Sequence, residues 1–118
     1  ADRTDISLVY ANVTEADIIL KDKIDALAKK YPYRFKVHYI VEKPSWGGLT
    51  WKGGVGRVTT DVLKEHMPAP SLDTVVMVCG PPGMMAAVSG SKAPDYSQGE
   101  VSGMLKELGF TKDTVYKF

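Results

Sequence analysis

Short apolar segments alternate with amphipathic segments along this chain, and this alternation constrains the fold more than any other feature of the sequence. Residues 6–11 form a run rich in apolar and β-branched side chains, which is typical of a buried strand. Apolar side chains then recur at roughly helical spacing, so a helix is predicted over about residues 17–30. Strands that alternate with helices favour an α/β fold, with a parallel sheet and helices on both of its faces.

The rest of the chain continues this alternation. Residues 35–41 alternate apolar and polar side chains, which predicts a second strand close to a sheet edge. Residues 44–56 are rich in glycine, so a long loop is predicted there. Thr59 or Thr60 is expected to cap a short helix that ends near Met67. The remaining predicted elements are a strand over residues 73–79, a turn over 80–83, a helix from 84, a loop over 89–97, a helix over 99–108 and a strand over 115–118.

Charge and cysteine content exclude several classes of function. The 15 basic and 14 acidic residues give a formal net charge of +1, so no global field favours nucleic acid. Cys79 is the only cysteine, which excludes an internal disulfide and a multi-cysteine metal site. His38 and His66 are far apart in the sequence, so no metal site is expected. No apolar run approaches the roughly 20 residues of a membrane-spanning helix, so membrane attachment is expected only through an anchor outside this chain.

Three segments with unusual composition directly follow predicted strands. They are residues 12–17, the glycine-rich residues 44–56, and residues 79–82. In open parallel sheets, ligands lie beyond the carboxyl ends of the strands. These segments are therefore the candidate binding segments.

Two of these segments carry a family resemblance. Residues 11–20 (ANVTEADIIL) and 79–84 (CGPPGM) stand in the order found in the NADH-binding domain of NADH-cytochrome b5 reductases. Over nearly its entire length the chain resembles this family, which is part of the ferredoxin-NADP reductase-like superfamily. The tail, residues 98–118, looks most similar to the fungal mitochondrial type.

The resemblance implies a nucleotide-binding lobe that works with a flavin-binding lobe. Such an enzyme passes a hydride from NADH to FAD and then single electrons to a heme protein such as cytochrome b5. The family's flavin signature and the glycine-rich turn for the pyrophosphate do not occur here. The chain is therefore expected to be the carboxyl-terminal part of the NAD(H)-binding domain and to be inactive alone. A mitochondrial location is expected from the same resemblance.

The resemblance gives Cys79 the central role. Its thiol is expected to face the nicotinamide and to set the distance to the flavin, without attacking it; the alternative is a buried structural cysteine. Gly80 would allow close approach of the backbone to the ligand, while Pro81 and Pro82 would fix the turn. Met84 is a candidate cofactor contact, or alternatively a core-filling residue.

Asp17, Asn12 and Thr14 are the candidate contacts after the first strand. The resemblance places Asp17 on the adenosine ribose, where a carboxylate would accept from the 2′-hydroxyl and repel a 2′-phosphate. NADH is therefore expected over NADPH. The alternative for Asp17 is that it favours the start of the helix through the helix dipole. Asn12 and Thr14 would bind cofactor or cap the helix.

Gly54 and Gly56 resemble a glycine pair that precedes a residue supporting the adenine. Arg57 stands where the family often has an aromatic residue, and it would stack on the base or be solvated. Phe118 ends the chain, where a terminal aromatic residue often lies near the flavin in this superfamily. The alternative for Phe118 is a core residue of an edge strand.

Two other functions remain open at this point. The chain would also suit the reductase portion of a nitrate reductase, since the Cys-Gly-Pro-Pro motif at residues 79–82 fits that relative nearly as well. A different class of function is a non-catalytic α/β module that binds a partner. Nucleotide-dependent stabilisation would distinguish the enzymes from the module.

Overall fold

The computed structural model of the protein describes residues 3–118, which form two compact units. One unit holds the strands and the helix that precede residue 59, together with Glu65–Met67. The other holds Thr59–Lys64 and Pro68–Phe118. Within the described part of the chain, no helix is long and apolar enough to cross a membrane.

Parallel pairing organises the sheet of the first unit. Strand β1 (Ile6–Asn12) pairs with β2 (Phe35–Val41), and β2 also pairs with the short strand β3 (Gly54–Val55). The prediction that the second strand lies near a sheet edge is wrong, because β2 has a partner on each side. The last residues of β2 explain this central position. Ile40 and Val41 point to opposite faces of the sheet, and both are buried.

The connection between β1 and β2 contains the helix α1 (Lys21–Lys30), preceded by a 3₁₀ turn (Glu15–Asp17). The predicted helix start near residue 17 is wrong by about one turn. Leu20 adopts a left-handed conformation with φ of 63°, which prevents the 3₁₀ turn from continuing into the α-helix. A core of Ile18, Tyr39 and Val41 packs beneath this connection.

The predicted loop over residues 44–56 contains more regular structure than expected. It includes a 3₁₀ turn (Ser45–Gly48) and the strand β3. The amide of Gly56 donates to the carbonyl of Val41 at 2.8 Å, which ties the end of the loop to β2. Trp51 supports the same segment by donating its indole N–H to the carbonyl of Gly54 at 2.8 Å.

The second unit contains short helices and a parallel pair of strands. The helix α2 (Thr60–His66) begins in this unit, and Thr59 caps it by accepting from the amide of Val62, as predicted. Strand β4 (Val76–Val78) pairs in parallel with strand β5 (Val115–Lys117), and parallel strands alternating with helices confirm the predicted α/β class. The elements after α2 are β4 (Val76–Val78), α3 (Pro82–Val88), α4 (Gly103–Glu107) and β5 (Val115–Lys117).

Two predicted elements of this unit are longer than the observed ones. The strand predicted over residues 73–79 covers only Val76–Val78, and Val75 before it is exposed. The helix predicted over residues 99–108 begins at Gly103. Gly99 and Gly103 both have positive φ, a backbone conformation that is incompatible with a continuous right-handed helix. Its buried apolar residues are Leu63, Val76, Val78, Met85, Val88, Val101, Leu105, Phe110 and Val115, and the polar residues Ser89 and Lys117 are also buried.

Candidate functional site

Asn12 ends β1 with an unsatisfied polar group. Its side-chain nitrogen Nδ2 is buried and has no hydrogen-bond partner within residues 3–118. Its backbone carbonyl accepts from the amide of Glu42 at 3.2 Å, so the residue itself is fixed in place. Buried polar groups are nearly always satisfied in native proteins. The side-chain amide of Asn12 is therefore a donor that a ligand acceptor could satisfy at the carboxyl end of β1.

Thr14 and Asp17 hold each other across the 3₁₀ turn. The Oδ2 atom of Asp17 accepts from the backbone amide of Thr14 at 3.2 Å and from its hydroxyl at 2.8 Å. Asp17 lies before α1, but it completes a capping box with Thr14 at the start of the 3₁₀ turn, which fits the alternative that it favours a helix start. Thr14 does cap a turn, as one alternative proposed. Asp17 is exposed and both bonds use one oxygen, which leaves the other oxygen for a ligand hydroxyl.

Gly54 and Gly56 each have a structural reason to be glycine. A Cβ on Gly54 would lie 2.9 Å from Nε2 of His38, and Gly56 has φ of 111°. Arg57 is exposed and its Nε donates to Glu42 at 2.7 Å, so it forms an ion pair on the surface. The exposure of Arg57 fits the alternative that it is solvated, stacking on the base remains a prediction, and the ion pair was not predicted.

A cavity of about 380 Å³ opens beside this loop, with Lys21, Tyr39 and Trp51 in its lining. None of the predicted nucleotide contacts in this unit lines it. Tyr39 donates its hydroxyl to Asp25 at 2.6 Å, while Lys21 pairs with the same carboxylate at 2.7 Å. Burial, together with the hydrogen bond to Asp25, raises the pKa of Tyr39 well above its ordinary value. Tyr39 therefore remains a neutral hydrogen-bond donor.

Cys79 directly follows β4 and is exposed, so the alternative of a buried structural cysteine is wrong. Pro81 precedes α3 and Pro82 is its first residue, a position where the absence of an amide hydrogen has no cost. A Cβ on Gly80 would lie 2.8 Å from the sulfur of Met84. Met84 thus packs over Gly80 and closes the turn, and any side chain at Gly80 would disturb it.

Phe118 lies at the same end of the β4–β5 pair as Cys79. Its amide donates to the carbonyl of Val78 at 2.9 Å, although β5 itself ends at Lys117. The ring packs edge-on against Tyr116, with centroids 5.0 Å apart. Phe118 is 63% exposed, so the alternative of an edge-strand core residue is wrong. The exposed ring is available to a partner surface or ligand.

Sequence reasoning missed two contacts that depend on tertiary structure. The rings of His38 and His66 stack with centroids 3.7 Å apart and planes 7° from parallel, despite their separation in sequence. Within the described residues, they join no group of three or more side chains that could hold a metal ion. Lys117 is buried and is held by backbone carbonyls and by Gln98. No sequence signal marks either contact, because a polar residue in a strand is ordinarily expected to face water.

A family model described as "Oxidoreductase NAD-binding domain" matches residues 1–90, about three quarters of the chain. The chain belongs to this family. Among curated proteins, this NAD-binding domain is 52% identical to an NADH-cytochrome b5 reductase-like protein of Arabidopsis thaliana and 50% identical to NADH-cytochrome b5 reductase 2 of Yarrowia lipolytica. Each alignment covers 99% of the chain, and the chain spans 34% and 40% of these relatives, respectively. The predicted resemblance to NADH-cytochrome b5 reductases is confirmed.

A solved structure supports the same fold for the NAD-binding domain. The cytochrome b5 reductase domain of Ulva prolifera nitrate reductase matches all of this chain with a TM-score of 0.80 and 34% identity, over 39% of its own length. The fungal subtype remains a prediction, since plant and fungal relatives are similarly identical to the chain. The roles of the individual site residues also remain predictions.

Proposed function

We propose that this NAD-binding domain is the NADH-binding part of a flavoprotein reductase that passes electrons to a heme protein. The observation that carries the proposal is the arrangement at the carboxyl end of β4. There an exposed thiol, Cys79, stands between Gly80 and a strand whose last carbonyl, that of Val78, holds the amide of Phe118. An α/β domain presents its backbone to a ligand at the tight turn between the end of a parallel strand and the start of a helix.

The residues after β1 fit the nucleotide half of NADH. Asn12 offers a buried side-chain donor without a partner in residues 3–118, which a ligand oxygen would satisfy. Asp17 would accept from the 2′-hydroxyl of the ribose while Thr14 holds its other oxygen. Gly54 and Gly56 would let the adenine approach the backbone of the β3 segment.

The residues after β4 fit the nicotinamide half. NADH, when bound, supplies a hydride that the flavin accepts. Cys79 would contact the nicotinamide ring and fix its depth, and Gly80, which has no side chain, would let the backbone approach the ligand. Pro81 and Pro82 would hold that turn rigid. The exposed ring of Phe118 would cover the same region and exclude water. FAD would be bound mainly by a separate lobe.

The electron acceptor is proposed from the relatives. The curated relatives are named for cytochrome b5, and their 50–52% identity exceeds the 34% identity to the nitrate reductase domain. A stand-alone cytochrome b5 reductase is therefore favoured over the reductase portion of a nitrate reductase. A mitochondrial location and an anchor outside this chain are part of the same proposal.

Steady-state kinetics of the full-length protein would test this function. NADH should reduce cytochrome b5, as seen by the absorbance of the heme, and nitrate should not be reduced. NADPH should support a much lower kcat/KM than NADH. Nitrate reduction would favour the nitrate reductase alternative, whereas a protein that binds neither NADH nor flavin would favour the non-catalytic module.

A further inference from the structure

Lys117 is an unusual core residue. The residue is 1% exposed, and it lies on β5 opposite Val78 in the second unit. Its Nζ donates to the backbone carbonyls of Ser91 at 3.1 Å and Glu100 at 2.6 Å. The carboxylate of Glu100 is exposed and pairs with Lys112 instead. A buried ammonium is thus held by the backbone of one loop.

Gln98 holds the backbone of the same residue. Its side-chain oxygen accepts from the amide of Lys117 at 2.7 Å, and its side-chain nitrogen donates to the carbonyl of Lys117 at 2.9 Å. These two bonds reproduce the pattern of a neighbouring strand. Lys117 is therefore fixed by its amide, its carbonyl and its ammonium group at the same time.

The loop between α3 and α4 has a conformation that allows it to bind the ammonium group of Lys117. Gly90 and Gly99 have positive φ, and a Cβ on Gly90 would collide with the hydroxyl of Ser102. The amide of Ser102 donates to the carbonyl of Ser89 at 2.9 Å, which closes the loop on itself. The closed loop brings the carbonyls that bind the ammonium of Lys117 to one point.

An apolar residue would fill this core position at lower cost, because an ammonium loses its hydration when it is buried. The hydrogen bonds made by Lys117 and Gln98 have an effect that an apolar residue would not provide. They fix the register and the end of β5, and the next residue is Phe118, whose amide bonds to Val78 beside Cys79.

We propose that Lys117 and Gln98 form a latch that positions Phe118 against the end of β4, and so sets the geometry in which hydride transfer occurs. This inference rests on the proposed function. Lys117 and Gln98 are positioning residues, because they act through Phe118 and the backbone beside Cys79.

The test uses the full-length protein with Lys117→Met, Gln98→Ala and the control Lys112→Met. Lys112 is an exposed lysine of the same unit, and its carboxylate partner is on the same loop. Rapid mixing with NADH gives the limiting rate of flavin reduction and the apparent Kd of NADH. The two latch variants should lose about tenfold or more in the limiting rate, with a much smaller change in Kd. The control should match the wild type.

Hydrogen exchange gives a readout that does not depend on turnover. The amide of Phe118 should exchange faster in both latch variants than in the control, because its bond to Val78 would open more often. Gln98→Ala keeps the proposal testable if Lys117→Met fails to fold. A folded variant with wild-type exchange and a wild-type reduction rate would overturn the latch. If NADH does not reduce the flavin of the wild-type protein, the proposed function and the catalytic role of the latch are both overturned. Hydrogen exchange would still report the contact between Phe118 and Val78.

Discussion

The backbone amide of Phe118 donates a 2.9 Å hydrogen bond to the carbonyl of Val78, the residue that immediately precedes Cys79. This bond brings the last residue of the chain to the end of β4, although 39 positions separate Phe118 from Cys79 in sequence. Both residues are exposed there. A thiol and an aromatic ring thus flank one edge of the second unit, which is the basis of the proposed nicotinamide site.

Replacing the thiol of Cys79 should affect chemistry more than binding. In the full-length protein, Cys79→Ser should lower the limiting rate of flavin reduction by about tenfold or more, with a smaller change in the Kd of NADH. The reason is that the rate of hydride transfer falls steeply when the nicotinamide ring is misplaced. Leu72→Ala, at an exposed loop position of the same unit, serves as the control. Wild-type kinetics in Cys79→Ser would remove Cys79 from the site.

Asp17 should determine the preference for NADH. Asp17→Thr should narrow the ratio of kcat/KM for NADH over NADPH, because the carboxylate would no longer repel a 2′-phosphate. Thr14→Val removes the hydroxyl bonded to Asp17 and keeps the carboxylate, so it should reduce stability by about 1 kcal/mol and preserve the ratio. An unchanged ratio in Asp17→Thr would refute the ribose assignment.

Two helical glycines should respond oppositely to alanine. Gly103 has φ of 66° and a Cβ there would collide with the carbonyl of Ala87, so Gly103→Ala should destabilise the protein by about 2 kcal/mol or more. Gly83 lies in α3, and beyond its chain neighbours and its own helix backbone nothing lies within 4 Å of the position of a Cβ, so Gly83→Ala should be neutral or stabilise by up to about 1 kcal/mol. Thermal unfolding of both variants measures the difference, and equal effects would contradict the described backbone.

The stacked histidines should make stability depend on pH. Burial lowers the pKa of His38 below its ordinary value of 6.5, and His66 lowers it further, while Glu65 opposes the shift. The unfolded chain therefore binds more protons than the folded chain just below pH 6.5, and the free energy of unfolding falls as the pH drops through that region. His38→Gln should flatten this dependence in denaturant titrations between about pH 5 and 8. If the free energy of unfolding depends on pH as steeply in the variant as in the wild type, His38 does not contribute to this dependence.

The sequence predicted the long elements better than the short ones. β1 and β2 are seven residues long, and the largely apolar run of β1 and the alternating pattern of β2 leave few alternatives to a strand. β3 has only two residues, one of them Gly54, so its pairing with β2 depends on tertiary contacts that no local pattern records. The start of α1 was misplaced because the backbone of Leu20 is left-handed, which a leucine seldom adopts.

The motifs named candidate residues whose roles remain predictions, and they did not indicate contacts that only the fold brings together. Cys79 and Gly80 were found from their motif, and their exposure and close packing agree with the expected place after a strand. Lys117 was missed because its burial depends on carbonyls contributed by residues 91 and 100. A lysine is ordinarily solvated, so only the closed loop shows that this one is not.

The proposed function requires this chain to bind NADH and to present it to a flavin. The most direct test is an anaerobic titration of the full-length protein with NADH, monitored by the visible absorption of the flavin. We expect the flavin band to bleach on addition of NADH and NADPH to be far less effective. A bound flavin that retains its oxidised spectrum in excess NADH would contradict the claim.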